Sequence, residues 1–126
     1  MTLWIAAGLL AAVALAGGIS KTVVPIRKLA TTHGGEWTGD APVALVRTLG
    51  ALEILAALGL TLPAILDTAP ALVPTTAVCW ILLMVGAMIT HLRYENQVRF
   101  ALLNLTYLAL AAFIAWGRIA AEPFPA

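Results

Sequence analysis

Four apolar stretches, each close to the 20 or so residues that a helix needs to cross a bilayer, divide this chain of 126 residues. They run from about 3 to 20, 42 to 66, 71 to 92 and 99 to 118. Their length decides the fold class, because runs this long suit helices, and no period-2 alternation of the barrel kind is present. With 62% hydrophobic residues, 10% charged residues and a mean hydropathy of +0.99, the chain is far from a soluble domain, in which roughly a quarter of residues are charged. The expectation is an all-α membrane protein, one domain over residues 1–126 folded as an antiparallel up-and-down bundle of four transmembrane helices. The bilayer is its first partner. A formal net charge of +1 gives nucleic acid no electrostatic footing.

The first run, closed by Lys21, has Ala14, Leu15 and Ala16 in the manner of a cleavage site. No basic residue precedes it, so it reads as a retained helix and not a signal peptide. Pro42 suits a first helical turn, and Pro63 is placed to bend the far end of the second helix. Connections alternate in charge. Lys21, Arg27 and Lys28 follow the first helix, Arg93 and Arg99 flank the third connection, and "DTAP" between them carries only Asp67. Basic loops are normally cytoplasmic, which predicts loops 21–41 and 93–98 inside and both termini outside, in a bacterial plasma membrane, with Arg118 dissenting. The first loop, "TVVPIRKLATTHGGEWTGDA", has Trp37 placed for an interface, and its composition leaves open whether it folds back over the bundle mouth.

Arg47 and Glu53 interrupt the second apolar run. At about 1.5 Å per residue from Pro42, Arg47 lies roughly 7 Å in and Glu53 about 16 Å in, near the midplane. A carboxyl group there has no route to water, so it must face the bundle interior and find a partner, or be neutral. At 100° per residue the two stand about 120° apart with Gly50 between, so both can border one inward stripe. Their separation exceeds an i,i+4 pair, which sends each to partners on other helices. Lys21, His91 and Asn104 lie toward the same basic side as Arg47, and Tyr107 is one turn deeper. Arg47, Glu53, His91, Asn104 and Tyr107, with Lys21 nearby, are therefore the candidates for ligand binding or proton relay opening to the cytoplasm.

Each has a plainer reading. Arg47 can snorkel to headgroups, His91 can sit at the interface beside Arg93, and Asn104 and Tyr107 can serve as interhelical hydrogen-bonding residues. Glu53 resists best, although a neutral acid bonded to a carbonyl is purely structural. Trp80, Met84 and Met88 read as packing or lipid-facing residues. Cys79, the single cysteine, reads as apolar filler and cannot cycle through an internal disulfide. No metal is expected, since His33 and His91 lie far apart with no carboxylate at ligand spacing, and no nucleotide fingerprint is present.

"GGISK" at Gly17–Lys21, "LGALEILAALGL" at Leu49–Leu60, "GAMITHLR" at Gly86–Arg93 and "AAFIAWGR" at Ala111–Arg118 together resemble the DoxX-like family of small four-helix membrane proteins. The similarity spans nearly the whole chain, and it departs after Lys21, where "TVVPIRKL" displaces the usual lysine-leucine pairing. The resemblance implies an integral subunit associated with an oxidoreductase system, with a buried polar pocket for a quinone-type headgroup. Electrons would then come from a partner or a bound quinone. Two other classes stay open: a non-catalytic accessory or assembly protein, and a binder or transporter of lipid or another small hydrophobe. Gly8, Ala12, Gly59 and Gly86 are small enough to support a homo-oligomer.

Overall fold

In the computed structural model the structure describes residues 2–94, 96–121 and 123. Four long helices carry the apolar runs: α1 (Thr2–Val23), α4 (Val43–Ile65), α5 (Leu72–Leu92) and α6 (Val98–Trp116). All four are long and apolar enough to span a membrane. Between α1 and α4 the first loop winds into two short helices, α2 (Ile26–Thr31) and α3 (Trp37–Asp40). A π-helical segment, Gly117–Ala121, ends α6, and residues 122 and 124–126 of the tail lie outside the described residues. Among the described residues there is no strand.

The bundle is built from two close pairs, α1 with α4 and α5 with α6, which meet along α4–α5 and α1–α6. Glycine sets the first pair. A Cβ on Gly18 would stand 2.7 Å from the Gly50 carbonyl oxygen, and one on Gly50 would stand 2.9 Å from that of Gly18. Only two glycines let the backbones approach this closely, and close approach is what holds helices together where lipid is as apolar as leucine. Gly117 similarly lets the end of α6 rest on Leu3, since a Cβ there would overlap the leucine side chain.

Leu10, Leu60, Val73, Ala77, Trp80 and Ile114 are fully or almost fully buried in a core to which all four long helices contribute. The opposite faces are just as apolar. Leu55, Leu82 and Leu102 are each more than half exposed, which places leucine where hydrocarbon, and not water, is the solvent. Gly59 packs inward, for a Cβ there would collide with Thr76 of α5, whereas Gly8 and Gly86 have open space. Of the small residues expected to support self-association, Gly59 is thus already used within the chain.

Candidate functional site

The sequence "GGISK" on α1 prepares a receptacle for Glu53 of α4. Lys21 Nζ lies 3.0 Å from Glu53 Oε1 and donates a hydrogen bond to Oε2 at 3.2 Å. Gly17 makes room, because a Cβ at that position would fall 2.7 Å from Glu53 Oε2. Three residues within about one helical turn therefore do three jobs: Gly17 clears the carboxylate, Gly18 lets α4 approach, and Lys21 neutralises the charge. The Glu53 side chain is 8% exposed and that of Lys21 is 23% exposed, so the pair lies in a medium where an unmatched charge is costly.

Arg47 is placed apart from this pair. Its Nη1 donates to the carbonyl oxygens of Lys21 at 2.8 Å and Val24 at 2.9 Å. These are orphan acceptors at the C-terminal end of α1, where the helix dipole also favours a cation. The inward stripe expected to hold Arg47 and Glu53 together is thus divided: the arginine caps a neighbouring helix, and the glutamate takes the lysine.

A cavity of about 720 Å³ opens beside Glu53. Gly17 and Lys21 of α1, Glu53 of α4, Trp80 and His91 of α5, and Asn104 and Tyr107 of α6 all line it. The structure thus gathers five of the six expected residues around one space, and Arg47 does not line it. Trp80 Nε1 and Asn104 Nδ2 are buried and have no hydrogen-bond partner. Trp80 is only 3% exposed. Two unsatisfied N–H donors in one wall are costly to a fold unless something supplies acceptors.

The first loop does fold back, and its Gly34, Gly35, Trp37 and Thr38 form part of the cavity wall. Polar bonds fasten this lid to the α5–α6 connection. Gln97 Nε2 donates to Glu36 Oε2 and Tyr94 Oη donates to Asp40 Oδ2 at 2.5 Å, while within the lid Gly34 N donates to Glu36 Oε1 at 2.6 Å. On its other side Gln97 places Oε1 2.8 Å from His91 Nδ1. Desolvation alone would push the Glu36 carboxyl up. The N–H groups of Glu36 and Gly34, the Gln97 amide and His33 outweigh it and hold the group below its ordinary value. Tyr94 is pushed up, chiefly because its hydroxyl donates to Asp40, with desolvation and the charges of Asp40 and Glu36 adding to the effect.

Sequence reasoning missed Gln97, Glu36 and the role of Trp80. Gln97 and Glu36 sit in connections that look like solvated loops, yet Gln97 is fully buried. Trp80 carried a usable signal: an indole in mid-helix, far from either interface, needs an acceptor for its N–H. Among the described residues no group of three or more His, Cys, Asp or Glu side chains is placed to hold a metal ion.

The family model for DoxX-like proteins matches residues 5–114. The chain belongs to the DoxX-like family. The match runs from Ile5 in α1 to Ile114 in α6, and so includes both halves of the Lys21–Glu53 pair and the whole lid of this DoxX-like protein. No curated protein and no solved structure matches the chain.

Proposed function

We propose that this DoxX-like membrane protein is the ligand-binding integral subunit of an oxidoreductase system, and that its cavity receives a quinone-type headgroup. The observation that carries the reading is the pair of unpartnered donors, Trp80 Nε1 and Asn104 Nδ2, in the wall of a cavity that also contains a self-neutralised ion pair. Neutral N–H donors suit neutral carbonyl acceptors. Lys21 is matched by Glu53, and Arg93 and Asp40 line the cavity with opposite charges, so the lining carries no net positive charge to favour an anionic headgroup such as a phosphate. Headgroup carbonyls would satisfy both donors, and the apolar remainder of the ligand would remain among side chains and lipid. Electrons would reach such a headgroup from a partner oxidoreductase, and Glu53 and His91 stand where a proton can be exchanged with it.

The test is extraction of the protein in native lipid discs, followed by analysis of bound small molecules. A copurifying quinone that is lost in Trp80→Phe and Asn104→Leu, and in Glu53→Gln, is the expected result. Bound lipid with no redox-active molecule would replace the reading with one of lipid binding. A stable enzyme partner whose activity survives Glu53→Gln would make the chain an accessory subunit.

A further inference from the structure

The bonds at the mouth of the cavity have a direction that can be worked out from the chemistry of their ends. Glu36 is fixed from two sides: Oε1 accepts from the N–H of Gly34 at 2.6 Å and Oε2 accepts from Gln97. A carboxylate only accepts, so the amide group that faces it must be the Gln97 NH2; the reversed amide would set oxygen against oxygen. His33 does not compete for that place, its Nδ1 lying 3.8 Å from Glu36 Oε2. With Nε2 committed to Glu36, the amide oxygen of Gln97 faces His91 Nδ1 at 2.8 Å. An amide oxygen has no proton to give, so Nδ1 must carry one. In the neutral ring this leaves Nε2 with a bare lone pair. Nε2 has no hydrogen-bond partner among the described residues, and His91 lines the cavity.

The surroundings hold this arrangement in place. Gln97 is 0% exposed, so its amide has no solvent contact to compete with Glu36 and His91. Phe100 stacks on the His91 ring with centroids 5.4 Å apart and 27° between planes. Phe100 is in turn braced by the edge of His33 at 5.2 Å and by the Arg99 guanidinium at 5.1 Å.

We propose that Gln97 is a positioning residue: oriented by Glu36, it locks His91 in the Nδ1–H tautomer and so makes Nε2 the hydrogen-bond acceptor for a ligand hydroxyl. The specificity half of this proposal rests on the reading of the cavity as a headgroup site; the tautomer half does not. Asn104 supplies a donor and His91 supplies an acceptor toward the lid end of the cavity, whereas Trp80 lies about 16 Å from His91 along α5, beyond the reach of the same ring. The ligand class is therefore a headgroup that bears a phenolic hydroxyl as well as a carbonyl or ether oxygen, as a quinol or semi-substituted phenol does. Blocking the hydroxyl by methylation removes the proton that Nε2 would receive.

The chain has two histidines, so His33→Asn leaves His91 as the single ring in a protein purified without a polyhistidine tag. Nitrogen NMR of ¹⁵N-histidine-labelled protein in lipid discs, on the alkaline side of neutrality, reads the tautomer without any ligand. One resolved Nδ1–H species is expected. Glu36→Gln keeps the shape, but its amide oxygen is claimed by the Gly34 N–H and its NH2 then faces Gln97, so the Gln97 amide is expected to reverse and favour the Nε2–H ring, and Gln97→Leu to release the ring altogether. A predominant Nε2–H ring in the parent protein, or identical spectra for the parent and Glu36→Gln, would overturn the proposal. Binding of a short-chain benzoquinol is then compared with that of its bis-methyl ether. Loss of one neutral hydrogen bond predicts about a three- to tenfold preference for the quinol that disappears in Glu36→Gln. Equal affinities in the parent, with the tautomer as stated, would remove the specificity claim. Absence of binding by either probe would count against the headgroup site and leave the tautomer result standing.

Discussion

Glu53 and Lys21 illustrate how far a single residue can be read from a sequence. The depth of Glu53 requires an inward-facing side chain with a partner, and this follows from rise per residue and the cost of a buried charge alone. Its choice of Lys21 over His91, Asn104 or Tyr107 depends on the rotation of the neighbouring helices about their axes, which no local pattern records. The ion pair makes a thermodynamic prediction. Lys21→Met leaves a carboxylate with 8% exposure unmatched and is expected to cost about 3 kcal/mol of unfolding free energy. In Lys21→Met with Glu53→Gln the charge is gone from both sides, and stability should return to within about 1 kcal/mol of the parent protein. Equilibrium unfolding in mixed micelles measures both, and additive losses would show that the two residues do not interact. Gly17→Ala belongs to the same set. Its new Cβ meets Glu53 Oε2, so it should impair ligand retention as Glu53→Gln does while leaving all charges in place.

At the scale of elements, the α1–α4 contact was partly legible, since Gly50 announces a close approach. Its counterpart Gly18 stood within a quoted motif whose packing purpose was invisible without the neighbouring helix. Alanine at Gly18 or Gly50 is expected to push the backbones apart, at a cost of about 1–3 kcal/mol for overpacking. Gly8→Ala, with nothing within 4 Å of the added Cβ, should be neutral or stabilising by up to about 1 kcal/mol through helix propensity. Equal losses at Gly8 and Gly18 in the same unfolding assay would contradict the packing argument. The lid was the least legible element, because its bonds join residues more than fifty positions apart. It also has a pH window. The carboxyl of Glu36 is held below 4.5 in the folded chain, so its contribution is present above 4.5 and is lost as pH falls through the lowered value. The hydroxyl of Tyr94 is raised above 10.0, so its contribution is present below 10.0 and is lost as pH rises through the raised value. Limited proteolysis across residues 26–40 should be slow between those limits and accelerate beyond either. Tyr94→Phe should accelerate it at neutral pH, and a flat profile would mean that these bonds do not hold the lid.

For the whole molecule, the four-helix architecture was legible because length and hydropathy suffice to define spans, whereas the ring order α1–α4–α5–α6 emerges only from packing. The same packing sharpens the question of which way the bundle faces. Arg27, Lys28, Arg93 and Arg99 are exposed at the lid end. Lys21 and Arg47, also near that end, are engaged by Glu53 and by the carbonyls of α1. At the opposite end, among the described residues, stand Asp67 and Arg118, whose guanidinium lies 5.8 Å from the Trp4 ring centroid. Exposed basic residues close to helix ends bias a loop toward the cytoplasm, and among the described residues they lie at the lid end. The expected orientation has the lid and cavity mouth inside the cell and both chain ends outside. Cys79, the single cysteine, is removed as Cys79→Ser, and a reporter thiol is then placed at exposed Thr32 or exposed Thr68. A membrane-impermeant maleimide applied to intact bacterial cells should label Thr68→Cys and spare Thr32→Cys until the cells are opened. Labelling of Thr32→Cys in sealed cells would invert the bundle. The lid, and His91, Gln97 and Glu36 with it, would then face the outer side of the membrane.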